Sequence, residues 1–256
     1  MGCLLNRGIR TRAATLTGMA TRGGPQRRGG RPSPAKARSG GSKSPQKRKP
    51  APAPPTPAPP SGPFRLGAIP GATPGKWIDI WKTRMPQNPL ELVTLSVVDQ
   101  RTALTDDDVD AAIVRLPIER DGLNVIPLYE ETTVVVCAAD SHLTAADELT
   151  ADDLRGEVRI VPLDDVLSFE VSGTDAPRFA APATTGDAIE TVAAGVGIVL
   201  VPMSLARLHH RKDVAFRPLA DAPASAVALA WRAQGASELV DTFVGIVRGR
   251  TSNSSR

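Results

Sequence analysis

Residues Thr184–Pro202 read TTGDAIETVAAGVGIVLVP, and the pattern changes character half-way. Thr184 followed three residues later by Asp187 is a capping box with Asp in place of the usual Glu or Gln, so a helix starts here. Ile189, Val192 and Ala193 line one face of that helix. From Gly195 the sequence becomes GVGIVLVP, an unbroken apolar run of the kind that forms a buried strand, and Pro202 closes it. MSLARLHH, residues 203–210, then reads as a short helix.

The same alternation extends in both directions. Upstream, strands are expected at Phe64–Ile69, Leu90–Leu95, Ala111–Leu116 (ending at Pro117), 132–138 (TTVVVCA) and Val158–Val161. Helices are expected at Lys76–Met85, with Trp77, Ile80, Trp81 and Met85 at helical spacing, and at Gln100–Leu104. Pro86 and Pro89 stop the first of these. Downstream, AVALAWR (226–232) is a further strand. Ser237 caps a last helix striped by Leu239, Val240, Phe243, Ile246 and Val247. Repeated β-α-β units predict an α/β fold with a mostly parallel sheet, whose ligands sit beyond the carboxyl ends of the strands.

Charge divides the chain in two. Of its 31 Lys and Arg, 13 fall in residues 1–63, which contain no Asp or Glu and hold 12 of the 24 prolines. The remainder has 18 basic against 27 acidic residues, a balance of −9. A segment so cationic and so poor in bulky apolar residues cannot bury enough surface to offset its ordering entropy, so 1–63 and the short end 251–256 are expected to be disordered. Residues 64–250 are long enough for one sizeable domain or two small lobes.

Gly67–Trp77, GAIPGATPGKW, has the look of a phosphate loop. Counting back from Gly75-Lys76, the first glycine of that motif should stand where Pro70 is, and the magnesium-binding hydroxyl where Trp77 is. Two chemically necessary positions fail. What survives is a strand leading through a Pro/Gly loop into a helix, which still aims backbone N–H groups at whatever lies in front.

Other chemistries find little support. There is no Gly-x-Ser-x-Gly elbow and no His-Glu-x-x-His, so neither catalytic residues nor an enzyme activity is expected. His142, His209 and His210 have no metal-ligand spacing with each other or with the cysteines, and no metal or cofactor is expected. Asp106-Asp107-Asp108 lacks the spacing of a calcium loop. Cys3 and Cys137 form no disulfide framework; Cys137 reads as a small buried residue. No apolar run reaches the length of a membrane span, and the first residues lack a secretory core, so a cytoplasmic protein is expected, translated from Met1 or from Met19.

The ordered series TTGDAIETVAAGVGIVLVPMSLARLHHRKDVAFRPLADAPASAVALAW, together with the upstream DDDVDAAIVRLPIERDGLNVIPLYEETTVVVCAADSHL, closely resembles the effector-binding domain of LysR-type transcriptional regulators over about residues 64–250. The resemblance includes a Gly-x-Gly-Ile strand, a Pro-x-Ser turn, an Arg-Pro-Leu segment, a Leu-Ala-Trp crossover strand and a glutamate before the other crossover. It implies a two-lobe, type 2 periplasmic-binding-protein-like fold with two crossover strands. Lobe I would be about 64–136 and 227–250, and lobe II about 137–226. Where such regulators carry a winged helix-turn-helix and a linker helix, this chain has the Pro/Arg/Lys segment without helical periodicity.

The resemblance further implies a small-molecule effector, an anion such as a carboxylate, held between the lobes. Gly71, Ala72, Thr73 and Lys76 would meet it from lobe I, Thr184 and Thr185 from lobe II, and Arg115 from the cleft edge. Each has a plainer reading: Thr73 as a helix cap, Lys76 as a solvated lysine, Thr184 and Thr185 as caps, Arg115 as a strand end. Trp77 and Trp81, at i and i+4, belong to a helix face buried on the sheet or at a dimer interface. The family's lobes commonly pair, which implies a homodimer.

In the basic segment, RRGGRPSPAKA and SPQKRKPAPAPP place Gly-Arg-Pro and Lys-Arg-Lys-Pro among cations. Such arms are attracted to the A·T-rich minor groove, although the match to an AT-hook is partial. Residues 7–49 are therefore read either as a non-specific DNA contact or as a solubilising arm, with Pro-Ala repeats at 50–63 as a stiff spacer. Two functions are carried forward. One is an effector-binding protein of transcription regulation, using its basic arm or a separate DNA-binding regulator. The other is a cytoplasmic solute-binding protein with no regulatory role.

Overall fold

The computed structural model describes residues 62–249. Residues 1–61 and 250–256, on which the expectations of a disordered basic tail, a DNA contact through 7–49 and a disordered end fall, lie outside the described residues. The described chain forms two sheets.

The first sheet has the order β2-β1-β3-β9-β4, made of β1 (Phe64–Ala68), β2 (Leu90–Thr94), β3 (Ala111–Arg115), β4 (Leu123–Glu131) and β9 (Ser225–Arg232). The second has the order β6-β7-β5-β8, made of β5 (Thr133–Ala138), β6 (Arg159–Ile160), β7 (Ile198–Pro202) and β8 (Val214–Pro218). Helices α1 (Gly75–Arg84), α2 (Gln100–Thr105) and α5 (Glu238–Val247) accompany the first sheet. Helices α3 (Thr185–Ala193) and α4 (Met203–Leu208) accompany the second.

The expectation of a mostly parallel sheet is corrected. β1–β2, β1–β3 and β6–β7 are parallel, but β3–β9, β4–β9, β5–β7 and β5–β8 are antiparallel. The physical reason lies in the connections. The chain leaves the first sheet at Thr132 and returns between Pro218 and Ser225, so each sheet receives a strand arriving from the other rather than through a helical crossover. The resemblance put the lobe limits at 136/137 and 226/227; the sheets change over at Thr132 and before Ser225.

Two strands have no counterpart in the periodicity. β4 carries Pro127 in mid-strand, which a central strand would not tolerate. It is an edge strand, and its register with β9 shifts between Pro127 and Tyr129. β8 is the other unforeseen strand, also at an edge, and all five of its residues are half-buried. β7 begins at Ile198 rather than Gly195, because Gly195 and Gly197 take positive φ. At Gly197 (φ +66°) a side chain would also collide with the Val158 carbonyl, so only glycine lets β6 and β7 approach here.

The core of the first lobe is an aromatic cluster. The Phe64 ring stacks on Trp81 at 4.6 Å and lies 5.1 Å from Phe243, with all three side chains fully buried. Trp81 Nε1 donates to the Asn88 carbonyl at 2.8 Å, which satisfies the indole without water. Trp77 packs against the same cluster, so the tryptophan face is turned onto the lobe's own core. In the second lobe Val134, Val136, Val199 and Val201 pack under Ile189 and Val192 of α3. The capping box of α3 is present as read: Asp187 N–H donates to Thr184 Oγ1, and Thr184 N–H to the Asp187 carboxylate. Ser237 occupies the N-cap position of α5, but its side chain makes no capping hydrogen bond.

Candidate functional site

A cleft of about 630 Å³ opens where three segments meet: the loop after β1, the end of β4 with Thr132, and the first turns of α4. The first two belong to lobe I and its crossover, and the third to lobe II.

The loop after β1 turns at Ile69, whose carbonyl accepts from Ala72 N–H, and passes through Gly71 at φ +83°. A β-carbon on Gly71 would lie 2.5 Å from Ser204 Oγ in α4, so glycine is what allows the two walls to touch. Helix α1 starts after Pro74 without a side-chain cap, so Thr73 caps nothing and stands exposed on the cleft wall.

The opposite wall is polar. Glu131 ends β4, and its Oε2 accepts from Arg115 Nη1 at 3.0 Å and from Ser204 Oγ at 2.8 Å. Arg115 is 2% exposed and its Nη1 also donates to Ser225 Oγ at 2.6 Å. Gln100 locks the same strand end, accepting from Arg115 N–H and donating to its carbonyl. The Glu131 carboxylate thus ties the end of β4 to β3 and α4, and Arg115 carries the tie on to β9. Tyr129 and Glu130 stand exposed beside it, and Arg207 and Leu208 face them from α4. Tyr129 is only 38% exposed, and this partial burial pushes its phenol above the usual range; the Glu131 charge adds to that shift and the Arg115 charge opposes it. The phenol stays a neutral donor near pH 7.

Of the residues expected at a ligand, Gly71, Ala72 and Thr73 line this cleft. Lys76 is exposed in the first turn of α1, outside the lining. Arg115 lies behind the wall and acts on the cleft only through Glu131. Thr184 Oγ1 caps α3, and Thr185 Oγ1 donates to Asp164 at 2.9 Å; neither lines the cleft. The residues that periodicity did not supply are Tyr129, Glu130, Glu131, Thr132, Met203, Ser204, Arg207 and Leu208. Two signals for them were present, the glutamates before the crossover and the Pro202-Met203-Ser204 turn, but a linear pattern does not say that they meet.

Among the described residues no group of three or more His, Cys, Asp or Glu is placed to hold a metal ion. No helix among them is long and apolar enough to cross a membrane.

Residues 57–252 match the family model of the LysR substrate binding domain. Among curated proteins the chain is similar to the Hca operon transcriptional activator HcaR of Escherichia coli, at 25% identity over 202 residues, 73% of this chain and 68% of that protein. It is similar to the HTH-type transcriptional regulator AlsR of Bacillus subtilis at 24% over 176 residues, 65% of this chain and 58% of that protein. The chain thus spans between 58% and 68% of the length of these two relatives. Among solved structures it superposes on the reduced OxyR regulatory domain of Pseudomonas aeruginosa with a TM-score of 0.58 at 24% identity, covering 73% of this chain and 95% of that one. The BenM effector binding domain with its effector benzoate gives 0.61 at 21% identity, covering 73% and 91%. The two-sheet architecture is the type 2 periplasmic-binding-like fold of those domains. By this match over most of its length, the chain belongs to the LysR substrate binding domain family.

Proposed function

We propose that the chain is a cytoplasmic sensor in transcription regulation that binds a small organic anion, a carboxylate in the first instance, in the cleft between its lobes. The observation that carries this reading is the make-up of the cleft. Its walls come from the loop after β1 and the end of β4 in one lobe and from α4 in the other, so one bound molecule touches both lobes and biases their relative placement. Glu131 is already neutralised by Arg115, whereas Arg207 makes no ion pair among the described residues and supplies the cation. Tyr129 O–H, Thr73 O–H and the backbone N–H groups of Gly71 and Thr73 are the remaining donors, the Ala72 N–H being held by the Ile69 carbonyl. The chain would act as a homodimer, and DNA attraction would come from the basic residues 7–49, with a separate DNA-binding regulator as the alternative source.

The test is calorimetric titration with acetate, benzoate and succinate beside the corresponding amides. At least one carboxylate should bind and its amide should not. Arg207→Gln should weaken that carboxylate about tenfold or more, the scale of a charged hydrogen bond. Equal binding of acid and amide, or no effect of the substitution, would overturn the anionic reading. The whole 256-residue chain should also bind DNA with log affinity falling steeply against log salt, and a variant starting at Phe64 should not. If both bind alike, the basic segment is not the contact.

A further inference from the structure

A second cavity, of about 390 Å³, lies in lobe II under residues 161–181 and shares no lining residue with the interlobe cleft. At its base is Arg159 of β6, which is 6% exposed. Its Nη2 donates to the Phe169 carbonyl at 2.6 Å, and its guanidinium lies 5.7 Å from the centre of the Phe169 ring. Nε has no hydrogen-bond partner. The charge partner is Glu170, 3.3 Å from Nη1, and that carboxylate is 98% exposed.

The pairing is lopsided. A buried guanidinium needs an anion, because its charge has been taken out of water. A fully solvated carboxylate reaching over it gains little from the contact and is free to leave. Beside the cation, Val161 and Phe179 remain 39% and 41% exposed, apolar surface left in water. The Thr174 hydroxyl is occupied by the Val171 carbonyl, and Asp175 also lines the cavity.

We propose that this cavity is a second ligand site, for a small monocarboxylate with an apolar body. Its carboxylate replaces Glu170 on Arg159, and its apolar part covers Val161 and Phe179. Asp175 disfavours a second negative group, so dicarboxylates are excluded. The site is independent of the interlobe cleft.

The experiment follows the Arg159 Nε–H signal by ¹H–¹⁵N NMR in the intact chain during titration with phenylacetate, with 2-phenylethanol and phenylmalonate as controls. The signal is assigned by its disappearance in Arg159→Lys, or from triple-resonance data should that variant fail to fold. Phenylacetate should shift it saturably and the controls should not. Glu170→Gln, at an exposed position, should tighten phenylacetate binding by up to about fivefold, the ceiling set by an exposed ion pair. Arg207→Gln should leave this response unchanged. A signal that phenylacetate does not move, or a Glu170→Gln protein that binds no tighter, would overturn the site.

Discussion

Arg115 and Arg159 are both buried, both leave Nε without a partner, and both face a glutamate at close to 3 Å. Their partners are opposites. Glu131 is 9% exposed and accepts from a second element, whereas Glu170 is 98% exposed and accepts from nothing else among the described residues. The same two chemical groups therefore serve two purposes. Buried with its partner, the pair is a tie across the sheet junction; left half in water, it is a contact that another anion can replace. Distance alone does not separate the two cases, and burial of the carboxylate does.

The largest effect is expected at the tie. Glu131→Ala strands the Arg115 charge and should cost about 3–5 kcal/mol in urea unfolding. The double variant Arg115→Met with Glu131→Leu should recover much of that loss, since a buried pair barely repays its desolvation. A double variant as unstable as the sum of the single ones would break the comparison. Ser204→Ala removes one hydrogen bond to the same carboxylate and should cost about 1.5–3 kcal/mol, the range for a charged partner. At the other arginine, Glu170→Gln should change stability by about 1 kcal/mol or less. A loss there as large as that of Glu131→Ala would show that exposure misreports the pair.

The comparison also shows where a linear reading stops. The α3 cap, the β-branched run of β5 and the stripe of α5 are local facts of spacing, and they stand as read; the apolar run of β7 does so only from Ile198, because Gly195 and Gly197 turn ahead of it. The sheets being mixed is not local. It depends on which strand returns to which sheet, and β4 and β8 escaped notice because edge strands need no apolar alternation and admit a proline such as Pro127. At the cleft, Gly71–Thr73 were expected from the family resemblance, and the loop after β1 does bring them to its lining. Glu131 and Ser204 lie 73 residues apart, and nothing in either stretch records their hydrogen bond. Arg115 was legible as important but not in its role, since a strand-end arginine points equally well at a ligand or at a buried glutamate.

The central claim is that one ligand in the cleft grips both lobes. It is tested most directly by backbone ¹H–¹⁵N NMR with the tightest-binding carboxylate. The account predicts that Gly71–Thr73 on one wall and Ser204–Arg207 on the other shift together, with one shared midpoint. Shifts confined to one wall, or two midpoints that differ, would contradict it.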